Sequence, residues 1–335
     1  MFLLSQIYKS KIYKNVDKRT KCIKIFDMYE VDHDIFDSFR HEKNPIMAEK
    51  DYLECVILER LFDEPFFKQN FVFAGGGTIT KVYKIGSRIG QDIDLAFTDF
   101  EDLPETRGTK KLNNFKDKFI DFVFNDLNKE VTKAVKDIGE FTIITDRQIR
   151  ASQPIKTGRA LPTLYCSYTS NLNPKINKCI NIEFIPRHYD PESIENHAVV
   201  PYSLGTPSTT EIPTVHYAQT FWDKIYALYT VHQIGVMRSG LAHHYYDVAN
   251  LAPCVKLDQT QNMFKSIEKY QKVYTTRKME SPEHLCDLEI MPTNDDLQKL
   301  AEEYSNMSNR FIGRQETWNN ILCSLQTLNK NIKSL

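Results

Sequence analysis

Phe73-Ala74-Gly75-Gly76-Gly77-Thr78, followed by Arg88-Ile89-Gly90-Gln91-Asp92-Ile93-Asp94-Leu95-Ala96-Phe97, is the stretch around which this chain is organised. Three glycines after the apolar run Phe71-Val72-Phe73 let a backbone approach a ligand closely, because no Cβ blocks it. A helix starting at Thr78 would turn its free N–H groups and its dipole toward a bound anion, most often a phosphate. Asp92-Ile93-Asp94 lies in a β-favouring run, where side chains alternate faces, so both carboxylates point one way while Ile93, Leu95 and Phe97 point the other. Two carboxylates across from a phosphate-cradling turn predict a magnesium site for a nucleoside triphosphate. Alone, a GGG-T is commonly a turn and a D-x-D commonly a solvated strand face. The specificity lies in their pairing, with Arg88 between them.

At 335 residues the chain has room for two domains, each with its own core. A net charge of −1 offers no global field for a polyanion, so nucleic-acid binding would need a local patch. Met1-Phe2-Leu3-Leu4 is too short for a signal-peptide core, and no run of about eighteen apolar residues occurs, so the sequence predicts a cytoplasmic protein that does not span a membrane. Seven scattered cysteines without a C-x-x-C pair exclude a zinc knuckle and predict reduced, mostly buried thiols.

Residues 1–45 are mixed and Lys-rich and read as an irregular or short-helical arm. Leu53, Val56, Ile57 and Leu61 follow helical spacing within Ala48–Phe62, and Pro65 stops that helix. Residues 109–138 are helical on the stripe Leu112, Phe115, Phe119, Phe122 and Val123, with a lysine-rich outer face that is either solvated or an RNA-backbone contact. Phe141–Ile144, Leu164–Thr169 and Cys179–Ile185 read as strands, with a basic loop from Arg147 to Arg159. In the third, Ile180, Ile182 and Phe184 take the core face, which leaves Glu183 on the side of Asp92 and Asp94. Five prolines in 186–213 mark a break in composition. Beyond it the pattern is helical, with Phe221, Ile225, Leu228 and His232 as a stripe and Lys224 at its border, where a long stem can lie on apolar surface and send its ammonium into a cleft. The predicted architecture is α+β: an arm over 1–45, a catalytic mixed sheet flanked by helices over 46–200, a linker over 201–213 and a helical bundle over 214–335.

Across nearly its whole length the sequence resembles the AbiEii/AbiGii toxin family of the polymerase-β-like nucleotidyltransferase superfamily. The likeness rests on Lys50-Asp51-Tyr52, on Gly76-Gly77-Thr78 with Lys81 and Tyr83, and on Arg88 to Leu95. It continues through Ile182-Glu183-Phe184, Thr220-Phe221-Trp222-Asp223-Lys224 and His243-His244-Tyr245-Tyr246-Asp247. Gly90 stands at the family's usual serine, Gln91 at its glutamate, Gln219 at a basic residue and His243 at an arginine.

The resemblance implies transfer of a nucleotide from an NTP to an RNA acceptor, the tRNA 3′ end, with a separately encoded antitoxin as partner. In that scheme Asp92, Asp94 and Glu183 hold two Mg²⁺ ions, and Gly76, Gly77 and Thr78 cradle the triphosphate. Lys224 and Asp247 fall on the family's second pair of essential positions, while Lys81 and Arg88 are phosphate or fold-stabilising contacts. Adjacent helical residues point about 100° apart, which argues against His243 and His244 as zinc ligands. A protein or small-molecule acceptor, or a catalytically weak nucleotide-binding protein, are the competing readings. Three convergent carboxylates count against the last, since a pure binder has no need of them.

Overall fold

Alternating burial builds the centre of the fold. The computed structural model describes residues 33–98, 110–136, 138, 141–145, 161–202, 207–235, 240–274, 282–312 and 314–335. Helix α1 (His33–Phe39) packs Phe36 and Phe39 against Tyr52 of α2 (Pro45–Asp63), with ring centroids 5.9 Å apart. Residues 1–32 of the expected arm and the basic loop 147–159 lie outside the described residues. Asn44 caps α2 by accepting from the Met47 N–H, and Pro45 sits in its first turn, where a missing N–H costs nothing. Helix α3 (Pro65–Asn70) leads into β1 (Phe71–Ala74), which is buried throughout. The short α4 (Gly76–Lys81) and β2 (Asp92–Phe97) follow.

Helices α5 (Lys110–Phe122) and α6 (Asn128–Val135), joined by a π turn over Val123–Leu127, cover one face of the sheet. Strands β3 (Thr142–Thr145), β4 (Thr163–Thr169) and β5 (Asn177–Ile185) complete one half of it. The other half takes β6 (Ile194–His197) and β7 (Ile212–Val215). The seven strands run in the order β3-β4-β5-β2-β1-β7-β6. β2 pairs parallel with β5 and antiparallel with β1, and β1 pairs parallel with β7.

Both outer strands of that second half fall in or at the edge of the proline-rich stretch 186–213: β6 within the expected catalytic region, and β7 across the end of the expected linker. β7 enters the sheet beside β1 through Phe73 and Thr214, although Pro213 sits within it. The proline-rich composition coincides with irregular backbone at 201–202 and 207–211 among the described residues, but hides the strand that follows. Past Val215 the chain is helical: α7 (Tyr217–Ile234), α8 (Ala242–Leu251), α9 (Leu257–Tyr274), α10 (Asn294–Asn306) and α11 (Trp318–Ile332). Among the described residues after Val215, the only β pairing is an isolated bridge of Phe311 with Arg88.

Two large cores result. One joins Ile93, Leu95, Ile180, Ile182 and Phe184 to α1, α2, α5 and α6. The other gathers α7 to α11 around Phe221, Trp222, Ile225 and Leu228, and takes in Ile79 of α4. The glycine turn thus sits at the seam between them. Among the described residues no helix is long and apolar enough to cross a membrane. The six described cysteines are free, but only Cys55 and Cys166 are buried, fewer than their type predicts.

Candidate active site

The glycine turn is built around contacts that no side chain could share. Gly75 caps α4 with φ +72°, and a Cβ there would fall 1.8 Å from Asp94 Oδ2. At Gly76 a Cβ would lie 3.1 Å from Arg88 Nη2, 3.6 Å from Lys224 Nζ and 3.7 Å from Asp247 Oδ2. One residue therefore lies against all three members of the basic side. Gly90 answers the question its sequence raised: a Cβ there would come within 2.8 Å of Gly77 Cα, so a serine would push the turn apart. The helix begins at Gly76, two residues before the expected Thr78, because the left-handed backbone of Gly75 supplies the cap. Thr78 is inside, with its hydroxyl donating to the Gly75 carbonyl at 2.8 Å, and it braces the turn from behind.

The acidic side follows from strand alternation. Ile93 and Leu95 are buried on one face of β2, while Asp92 and Asp94 look out on the other. Parallel pairing sets Asp94 directly beside Glu183 and Asp92 beside Asn181, whose amide donates to Asp92 at 2.8 Å. Burial and the neighbouring Glu183 and Asp92 push the Asp94 carboxyl well above its usual range, against the pull of Lys224 and the Gly76 N–H. Burial, with Asp92 adding to it, lifts Glu183 to about 7. These are acids crowded together with too little positive charge among them. Among the described residues no three His, Cys, Asp or Glu side chains form a closed metal cluster. The three acids nevertheless line one cavity of about 330 Å³ and offer only oxygen donors, the set magnesium takes.

The basic side is one linked triad. Asp247 on α8 accepts from Arg88 through both oxygens, at 3.0 Å and 2.6 Å, and its Oδ2 also meets Lys224 Nζ at 2.8 Å. Burial alone would raise the Asp247 carboxyl, but Arg88 and then Lys224 more than reverse this and hold it below its usual range. Lys224 and Arg88 line the cavity and Asp247 lies behind them. The lysine at the border of the α7 stripe thus does reach across the seam to the glycine turn.

Lys81 does not join them. Its ammonium is buried, 2.7 Å from both Asp51 and Glu54 of α2. Asp51 also accepts the Tyr202 N–H at 2.6 Å, and Lys50 donates to the Gln91 carbonyl at 2.6 Å. The two motifs containing Lys50-Asp51 and Lys81 therefore brace the turn and the loop before Asp92 from inside the core.

Several cavity residues were not among the expected site residues. Thr220, Asp223, Gln91, His243, His244 and Arg310 line the cavity. Asp223 is held by Arg187 Nη1 at 2.9 Å and by Gln219 at 3.0 Å, so the residue standing for a basic one braces an acid instead. Arg187 lies 4.1 Å over the Tyr189 ring. The two histidines, one step apart at the start of α8, swing together with ring centroids 4.2 Å apart. Burial and the surrounding cations Arg88, Lys224 and Arg310 hold His243 down to about 3, so it is neutral at physiological pH. Arg310 gave no local signal: it arrives from over 200 residues away, on the strand-like bridge to Arg88.

A mixed sheet whose glycine turn faces paired acidic strands, with a helical half closing the cleft, is the arrangement of a nucleotidyltransferase. The profile of the nucleotidyl transferase AbiEii toxin family, of type IV toxin–antitoxin systems, matches residues 56–322. The chain belongs to that family, and is on that ground a nucleotidyltransferase toxin whose system includes a separate antitoxin. Its fold is similar to that of MenT4, a nucleotidyltransferase toxin from Mycobacterium tuberculosis H37Rv, with a TM-score of 0.53 and 16% identity over 90% of each chain. No curated protein sequence matches it.

Proposed function

We propose that the chain transfers a nucleoside monophosphate from an NTP to the 3′-hydroxyl of an RNA, a tRNA end, and releases pyrophosphate. The observation that carries this reading is the position of Gly76, in reach of Arg88, Lys224 and Asp247 while its N–H bonds Asp94. A triphosphate laid along the turn would have acids on one side and cations on the other.

In this reading the N–H groups at Gly76 and Gly77 bind phosphate oxygens, as at other helix starts that receive phosphate. Lys224 neutralises charge that builds on the departing pyrophosphate, and Asp247 with Arg88 fixes where that ammonium points. Glu183 accepts the proton of the attacking hydroxyl. Asp92, Asp94 and Glu183 would hold two Mg²⁺ ions, which supply Lewis-acid charge to the phosphoryl oxygens when bound. The crowding that raises Asp94 and Glu183 is what a divalent cation would relieve. Catalysis on this account needs both halves of the chain, the sheet region of 46–200 and the helical region beyond 214.

The test is incubation with Mg²⁺, each α-labelled NTP in turn, and total tRNA. Label should appear at tRNA 3′ ends with at least one NTP, and Asp94→Ala should abolish it while remaining folded. Label on protein or on a small molecule, with none on RNA, would overturn the choice of acceptor.

A further inference from the structure

Three cations line the cavity, and two of them are already engaged. Arg88 and Lys224 both pair with the single carboxylate of Asp247. Arg310 is different: it lines the same cavity, yet among the described residues no carboxylate comes within ion-pair distance of it. Asp92 and Glu303 act on it only from further off, and Glu303 is occupied by the Ala242 N–H.

Its backbone is pinned on both sides. The Arg310 carbonyl accepts from the Ile89 N–H at 2.9 Å, and the Ile312 N–H donates to the Ser87 carbonyl at 3.1 Å. Phe311 between them is buried against Tyr246 and Tyr304, with ring centroids at 5.1 and 5.8 Å. A rigid strap thus carries a half-buried guanidinium to the cleft beside the Arg88–Asp92 loop. Burial and the nearby Arg88 both work against its charge, and Asp92 and Glu303, which favour it, do not reach ion-pair distance. The neutral His243 shares the corner, since Arg310 is among the cations that depress it.

Resting on the reading of the site as an NTP site, we infer that Arg310 binds a phosphate of the nucleotide triphosphate. A guanidinium with its forked donors uncommitted is the side chain best suited to phosphate oxygens. Asp247 holds Arg88 and Lys224 in place on the far wall, and Arg310 adds a guanidinium with no carboxylate partner among the described residues to the charge that Lys224 brings. Arginine at position 243 would deliver the same charge to the same corner from α8.

The test is calorimetric binding of inorganic tripolyphosphate, and of each NTP, to the full chain in Mg²⁺. Loss of one charge-assisted contact predicts that Arg310→Ala weakens tripolyphosphate binding about tenfold or more. Thermal melting should stay unchanged, because the bridging bonds are made by backbone. Arg310→Lys should fall between, and His243→Arg in the Arg310→Ala background should recover most of the affinity. Native-like tripolyphosphate binding by Arg310→Ala, or a loss confined to the RNA acceptor, would overturn the assignment. A native chain that binds neither tripolyphosphate nor any NTP would instead remove the NTP reading on which it rests.

Discussion

Two buried charge clusters stand on either side of the glycine turn, and each joins a motif lysine to acids distant in sequence. In the inner one, Lys81 is sealed in the core between Asp51 and Glu54. In the outer one, Lys224 and Arg88 share Asp247 at the wall of the cavity. The inner cluster sets Lys81 between two acids, with Lys50 3.6 Å from one of them, and its central cation touches no cavity; the outer is two cations around one acid, with both cations facing the cavity. The arithmetic decides their roles. An inner lysine is wholly consumed by neutralising its neighbours, whereas the outer pair has one positive charge to spare for a substrate.

The inner cluster should show the largest effect on stability. Lys81→Ala leaves Asp51 without its cation and Glu54 with only the more distant Lys50, and breaking a buried pair in this way costs about 3–5 kcal/mol. Urea denaturation should report a loss of that order; a loss under about 1 kcal/mol would mean that the cluster opens to water. Next comes Lys224→Ala. Asp247 keeps its two-pronged bond to Arg88, so the fold should hold while turnover falls by about 10²–10³. Lys224→Arg should restore only part, since a planar fork replaces a point charge. Arg88→Lys gives up one of the two bonds to Asp247, and hydrogen bonds to charged groups are worth about 1.5–3 kcal/mol. Its melting temperature should drop, and by less than that of Lys81→Ala.

The subtlest difference is in acid. Asp247 has a folded pKa below its ordinary 3.8, so its contribution to stability is present above pH 3.8 and is lost as pH falls through the lower folded value. Glu54, raised by burial above its ordinary 4.5 despite Lys81 and Lys50, has the opposite sign. Its contribution is fully present below pH 4.5 and declines as pH rises through the folded value. Denaturation measured across pH 2 to 7 should therefore show Asp247→Asn flattening the acid limb and Glu54→Gln flattening the decline above it. The reverse assignment would show that the charges are shared differently from the contacts described.

Alternation and glycine chemistry made most of this legible in the sequence. Asp92, Asp94 and Glu183 fall on one side because Ile93, Leu95, Ile182 and Phe184 must be buried on the other. Lys224 was readable from its place at the edge of an apolar stripe. Lys81 was harder, because its partners lie 27 and 30 residues earlier; the available sign was Asp51 and Glu54, three apart on the buried face of α2 beside Leu53 and Ile57. β7 was hidden by Pro213 and by its short length. Arg310 was not legible at all, since a bridge between residues 88 and 311 leaves no periodic trace in either segment.

The sorting of the two lysines is tested most directly by turnover per folded molecule at saturating NTP, for Lys81→Met and Lys224→Ala side by side, with the folded fraction taken from circular dichroism. The account predicts that whatever fraction of Lys81→Met remains folded turns over at close to the native rate, while fully folded Lys224→Ala is slower by about 10²–10³. A well-folded Lys224→Ala with near-native turnover, or a well-folded Lys81→Met that is inactive, would contradict it.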